Sequence, residues 1–120
     1  MIHINSILDV IDNSGIFKFK YINVLQKSKI IKYGDILIGV VYKIYNNNLY
    51  KKSDKCKGIL VQQKKFLNLK LYYSIKFNKN AVIILNNNLN SVGTKSNYYI
   101  SKYIKYKSNI NMKKLKIKYI

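Results

Sequence analysis

Few residue types in this chain can do chemistry: four carboxylates (Asp9, Asp12, Asp35, Asp54), one histidine (His3), one cysteine (Cys56) and 23 lysines, with no glutamate and no arginine. Asp9 and Asp12, in the stretch "LDVIDNSG", are the pair whose spacing first suggests general acid–base work, which needs two carboxylates converging on one substrate. On a strand that runs to Ile11, however, side chains at 9 and 12 point to opposite faces, because only even spacings share one. "DNSG" reads instead as a turn, in which Asp or Asn accepts backbone N–H bonds and Gly15 supplies a positive φ before the next strand. Asp12 is expected to open that turn, and Asp9 to pair a lysine within the fold.

The other candidates lack partners. His3 and Cys56 have no neighbours at metal-ligand spacing, so no metal site is expected. A lone Cys and a lone His without a supporting motif make no nucleophilic pair. Neither G-x-x-x-x-G-K nor G-x-G-x-x-G occurs, so no phosphate loop or dinucleotide cofactor is expected. No catalytic residue is assigned, and the chain reads as a non-enzyme. One cysteine also excludes an internal disulfide, which suits a reducing compartment.

The lysines remain. Part of their number reflects codon bias, since Lys, Asn, Ile and Tyr make up more than half of the 120 residues while proline and arginine are absent. Bias of that kind favours Lys over Arg, but it does not remove glutamate. A formal charge of +19 repels itself unless a polyanion neutralises it. Nucleic acid is therefore the leading partner and an anionic membrane surface the runner-up. The membrane reading is weaker: the longest apolar run, "ILIGVVY" at 36–42, is far below the roughly 20 residues of a spanning helix. No signal or transit pattern opens the chain, which is expected to begin at Met1 and remain where it is made. Lysine neutralises phosphate as a point charge and lacks arginine's forked base code, so the expected mode is grip on a shaped phosphate backbone rather than sequence reading. Tyr72, Tyr73, Tyr98 and Tyr99 offer faces for stacking on unpaired bases.

The elements that must carry these lysines are mostly strands. "GIFKFKYINVL" alternates Phe17, Phe19 and Tyr21 against Lys18 and Lys20, the period of a strand with one face in the core. "DILIGVVYKIY" and "KGILVQQ" are rich in Ile and Val, and "NAVIIL" is a short apolar strand closed by Asn86 to Asn88. Several short strands at this spacing indicate a small antiparallel barrel or sandwich. "QKKFLNLKLYYSIKF", 63–77, alternates lysines and apolar residues and reads as a two-stranded ribbon projecting from that body. From Tyr98 the period changes: Ile100, Tyr103, Ile104 and Lys107 share one helical face. A short helix is expected there, with a weaker basic helix over Lys113 to Tyr119.

Taken in order, these segments resemble one family, the universal large-subunit ribosomal protein fourteen. "MIHINSILDVIDNSG" is similar to its first strand and turn. "INVL" from Ile22, "YGDIL" from Tyr33, "KKSDKCKGILVQQKK" from Lys51, "IKFNKNAVIILN" from Ile75 and "VGTK" from Val92 follow in the family's order. The most specific part is Gly58 with Ile59-Leu60-Val61, then Phe77, Asn80 and Val82-Ile83-Ile84.

The resemblance implies a mainly β fold: a five-stranded antiparallel β-barrel over about residues 1–95, a projecting ribbon at about 63–77 and short C-terminal helices within 98–120, all one domain. It also implies a structural constituent of the large ribosomal subunit that binds large-subunit rRNA and helps form the intersubunit interface. Its neighbours would be large-subunit proteins three and nineteen, small-subunit rRNA across the interface and a ribosome-silencing factor. The family's rRNA-contacting basic positions carry over to Lys51, Lys52, Lys64, Lys65, Lys76 and Lys95. Its bridge region carries over to Tyr98, Tyr99, Lys102, Lys105, Lys113 and Lys114. The chain departs from the family pattern at Leu71-Tyr72, where Asp-Gly is common, at Gln62-Gln63, in place of Arg-Thr, and at Tyr98-Tyr99, in place of Gly-Pro. Codon bias and the bacterial-type pattern together point to an organellar ribosome, in a relict plastid (apicoplast) first and a mitochondrion second. The rival expectation is a free-standing single-strand RNA chaperone on a small barrel, which would need aromatics gathered on one barrel face.

Overall fold

The computed structural model describes residues 2–24, 31–45, 50–65, 67–70, 73–101, 104 and 116–119. Strands β1 (Ile7–Val10), β2 (Ile16–Val24), β3 (Ile36–Ile44), β4 (Lys55–Gln62) and β7 (Ala81–Leu85) form a closed barrel in the order β1-β2-β3-β4-β7. Consecutive neighbours pair antiparallel, and the barrel closes through a parallel pairing of β1 with β7, Asp9 opposite Ala81 and Val10 opposite Val82. Closure removes the open sheet edges that would otherwise template aggregation.

Two apolar clusters explain the difference between the alternating and the continuous strands. Leu8, Phe19, Leu37, Val41, Leu60, Val82 and Ile84 fill the barrel. Ile11, Tyr33, Ile59, Val61, Ala81, Ile83, Leu85, Ile100 and Ile104 form a second cluster. Successive residues of β4 and β7 thus contribute alternately to the two clusters, which is why "GILV" and "AVIIL" are apolar at every position. β1 to β3 are buried mainly on the barrel side and keep the period of two away from the bulges in β2 and β3.

The ribbon is present as β5 (Leu67–Lys70) and β6 (Tyr73–Ile75), an antiparallel pair with Leu67 opposite Ile75 and Lys70 opposite Tyr73. The Leu71-Tyr72 tip lies outside the described residues.

The C-terminal region keeps a helical residue at Ile104 but otherwise, among the described residues, departs from the expected helices. Tyr98–Ile100 belong to a strand, β8 (Lys95–Ile100), and 116–119 to another, β9 (Lys116–Tyr119), paired parallel with β8. As far as Ile100 the i, i+3, i+4 pattern that suggested a helix is overridden by tertiary partners. Ser96 bridges Asp12 at the first turn, Gln62 Nε2 donates to Tyr99 O at 2.8 Å, and Ile100 is fully buried in the second cluster. Tyrosine pairs and β-branched residues also favour the extended state. Lys102, Lys105, Lys113 and Lys114 lie outside the described residues.

A second correction falls in β2. Phe17 does not join Phe19 and Tyr21 in the core; it is exposed. Ile16 pairs with Ile44 and Lys18 with Lys43, so Phe17 is an extra residue on β2, a bulge that shifts the alternation by one.

Candidate nucleic-acid interface

The carboxylates are committed to the fold. Asp12, almost wholly buried, accepts from Ser14 Oγ at 2.7 Å and Ser14 N at 3.3 Å through Oδ1, and from Ile84 N at 3.1 Å through Oδ2. Burial pushes its carboxyl above the ordinary 3.8, against the opposing pull of the hydrogen bonds from Ser14 and Ile84. Gly15 follows with φ 97°, so "DNSG" is the turn that its composition implies. Asp35 Oδ2 accepts from Lys32 N at 2.8 Å, and Asp54 Oδ2 from Lys51 N at 2.8 Å. Asp9, on the flank of β1, forms an ion pair with Lys18 of β2. Asp9 and Asp12 share no face and no partner, and no acid–base pair results.

Among the described residues no group of His, Cys, Asp and Glu could hold a metal ion. Cys56 sits in the barrel core, where burial, and secondarily the Asp54 charge, pushes its thiol up to about 12. A thiol so rarely ionised is no nucleophile. No helix among the described residues is long and apolar enough to cross a membrane.

All six lysines carried over from the resemblance are exposed, and the fold sorts them. Lys51 and Lys52 lie in the turn before β4. It is held to β3 by Ser53 N donating to Val41 O at 2.8 Å and Val41 N donating to Asp54 O at 2.9 Å. Ser53 takes φ 74° to close it.

Lys64 and Lys65 follow β4 at its other end. The eight residues of β4 rise about 3.3 Å each, so about 25 Å of strand separates the two pairs. Lys64 and Lys65 join Lys76 at the base of the ribbon. There Phe77 N donates to Gln63 O at 3.2 Å and Lys64 N to Asn80 Oδ1 at 2.9 Å, and the Tyr33 hydroxyl stands 2.5 and 2.6 Å from Gln63 O and Lys65 O, which share its one hydrogen.

Lys95 starts β8 against the first turn. Asn13 Oδ1 accepts from Thr94 N at 2.6 Å and Lys95 N at 3.0 Å, and Lys116 lies opposite Lys95 in register. The expected positions thus form one group at the ribbon base, a pair in the β3–β4 turn and Lys95 on the first turn.

Tyr98 and Tyr99 are about half exposed, at 49% and 52%. With Gln62, Phe77, Asn78 and Lys79 they line a groove of about 420 Å³. Lys79 Nζ stands 3.3 Å above the Tyr98 ring centroid, a cation–π contact that fixes the ammonium at the groove.

Sequence reasoning missed Lys79, because only the return of the ribbon toward β7 brings it beside β8. It also missed Lys116, whose pairing with Lys95 depends on a strand that the helical period concealed. A third omission is aromatic: Phe17, Tyr42 and Tyr45, scattered in the sequence, are all exposed on β2, β3 and the residue after β3.

Comparison with known proteins agrees with this architecture. The chain is 35% identical to the "Large ribosomal subunit protein uL14c" of Eimeria tenella over 121 aligned positions, covering 100% of both chains. It is 34% identical to the protein of the same name from Toxoplasma gondii over 96 positions, covering 79% of each. The family model described as "Ribosomal protein L14p/L23e" matches residues 1–116. A closed five-strand barrel with a ribbon, acids spent on turns and lysines left outward is thus the form taken here by a structural, non-enzymatic component of the large ribosomal subunit, and the chain belongs to the Ribosomal protein L14p/L23e family.

Proposed function

We propose that the chain works by gripping folded large-subunit rRNA through its lysines, as a phosphate neutraliser shaped by the barrel and ribbon rather than as a reader of sequence. The observation that carries this is the uneven use of charge. Asp12, Asp35 and Asp54 accept backbone amide hydrogens, while Lys51, Lys52, Lys64, Lys65, Lys76 and Lys95 are all exposed. Phosphate is the counter-charge that such a surface selects. In this reading Lys64, Lys65 and Lys76 hold one stretch of backbone at the ribbon base, and Lys51, Lys52 and Lys95 hold others.

Tyr98 and Tyr99 on β8, and with them Lys102, Lys105, Lys113 and Lys114, are assigned to the intersubunit side, against small-subunit rRNA. Large-subunit proteins three and nineteen would be its protein neighbours, and a ribosome-silencing factor a transient one. The family resemblance supports these assignments. The ribosome is that of the apicoplast, in line with the plastid-type name of both apicomplexan relatives.

Co-sedimentation tests the reading. The chain is expected to migrate with large subunits after a high-salt wash and to bind isolated large-subunit rRNA fragments with an affinity that falls steeply as salt rises. A chain found wholly in the soluble pool, or a binding isotherm insensitive to salt, contradicts it.

A further inference from the structure

We propose that the outer face of β2 and β3 carries a stacking site for unpaired rRNA bases, built on Tyr45, Phe17 and Tyr42, with Lys43, Lys51 and Lys52 placed for the adjoining phosphates. The inference rests on the rRNA reading above and adds a second mode of contact at a site distinct from the ribbon base.

Three observations converge. The first is register. Phe17 is the extra residue on β2 between the Ile16–Ile44 and Lys18–Lys43 pairs. Tyr42 is the extra residue on β3 between the Lys18–Lys43 and Phe19–Val41 pairs. The two bulges cancel, so the pairing beyond them resumes in step. Their net effect is to put an aromatic ring outward on each strand, both 37% exposed. Bulges re-aim side chains in this way, commonly at functional sites.

The second is preorganisation. Tyr45 N donates to Gly15 O at 2.9 Å, which fixes its backbone against the first turn. The Tyr45 and Phe17 rings meet edge to face, centroids 4.9 Å apart at 76°, and Lys18 Nζ, paired with the Asp9 carboxylate, lies 5.0 Å from the Phe17 centroid. Asp9, Lys18, Phe17 and Tyr45 thus form a propped series. An edge-to-face contact occupies one side of one ring and one edge of the other, and Tyr45 remains 56% exposed. A ring held still with open surface loses little entropy when a base stacks on it.

The third is charge. Lys43 lies opposite Lys18 in register and is exposed, and the turn carrying Lys51 and Lys52 is hydrogen-bonded to Val41, the residue before Tyr42. Cations spaced around exposed rings favour a polyanion that presents π-faces, which is unpaired nucleic acid. A duplex offers phosphates but hides its base faces. An apolar protein surface would leave these ammonium groups unmatched.

The test uses the full chain with two labelled RNAs, a short single-stranded oligouridylate and a duplex of the same length, in anisotropy titrations at one salt concentration. The double variant Phe17→Leu, Tyr45→Leu keeps apolar bulk and removes the ring faces, while Tyr45→Phe keeps the ring. Thermal melts establish that each variant is folded. The double variant is expected to lose about tenfold in single-strand affinity or more with duplex affinity unchanged, and Tyr45→Phe to behave like the parent chain. Equal losses on both RNAs, or no loss on either, overturn the inference. A double variant that keeps both RNA affinities yet leaves salt-washed large subunits assigns this face to a protein neighbour and likewise overturns it. A parent chain that binds neither RNA overturns the rRNA reading itself.

Discussion

Asp12 shows how one residue can be mistaken for chemistry. Its two oxygens are both acceptors, Oδ1 from Ser14 and Oδ2 from Ile84 N, an arrangement that an amide cannot copy. In Asp12→Asn the Nδ2 group must face one of these donors, leaving a buried N–H without a partner at a cost of about 1–3 kcal/mol. Chemical denaturation should show that loss. The pH dependence has a definite sign. Burial raises the carboxyl above 3.8 in the folded state, so the folded chain binds the proton more tightly than the unfolded one. The stability this adds is complete below the unfolded value and is lost as pH rises through the folded value. The melting-temperature gap between the parent and Asp12→Asn should therefore be widest in acid and narrow toward neutral pH. Cys56 provides a contrasting check. With its thiol pushed up from 9.0 to about 12, thiolate is about a thousandfold scarcer than in the unfolded chain. Iodoacetamide at pH 8 should modify the native protein far more slowly than the denatured one. Comparable rates would mean that Cys56 is not in the barrel core.

Legibility varied sharply from element to element. The alternation in "FKFKY" and the unbroken "AVIIL" located β2 and β7 because one-sided and two-sided burial leave different periods. The ribbon was legible at 63–77 because lysines alternate there, and its strands fall at Leu67–Lys70 and Tyr73–Ile75. β8 was not, since Ile100 falls on a helical face that continues to Ile104, itself helical, and only the tertiary partners of Ser96 and Tyr99 decide that a strand runs to Ile100. The bulges at Phe17 and Tyr42 left no mark either, because two opposite slips restore the pairing from Phe19 to Tyr21, before a further shift between Tyr21 and Asn23. For the site, the exposed lysines were legible by type, whereas their division between the two ends of β4 needed the topology. Two substitutions test these elements. Gly39 lies opposite Tyr21 and Cys56, and a Cβ there would stand 2.2 Å from Lys20 O and 2.6 Å from Phe19 Cζ. Because backbone must move, Gly39→Ala should cost about 3 kcal/mol or more in a urea titration. Tyr33→Phe removes the hydroxyl shared by Gln63 O and Lys65 O at about 1 kcal/mol. Its specific mark should be faster amide exchange in the ribbon while the barrel amides keep their protection.

At the scale of the molecule the governing quantity is the unmatched charge. A formal +19 on a chain with a radius of gyration of 13.4 Å places most charges within one or two screening lengths of each other at low salt, since the Debye length is about 30 Å at 0.01 M and about 3 Å at 1 M. The barrel must hold against that repulsion with carboxylates that mostly serve its own turns. The lysines left outward are thus both the means of gripping RNA and a burden on the isolated chain, and one ligand relieves the second by using the first. The free chain should melt at a temperature that rises with salt. A short RNA at a hundredfold excess over its dissociation constant should stabilise it by about 2.7 kcal/mol, or about 10 °C in melting temperature at this chain length. The two effects should not add: salt that screens the lysines also weakens the RNA contact, so the RNA-induced shift should shrink as salt rises. A melting temperature indifferent to both salt and RNA would mean that the lysines neither strain the fold nor meet phosphate, and would remove the physical basis for reading this surface as an rRNA grip.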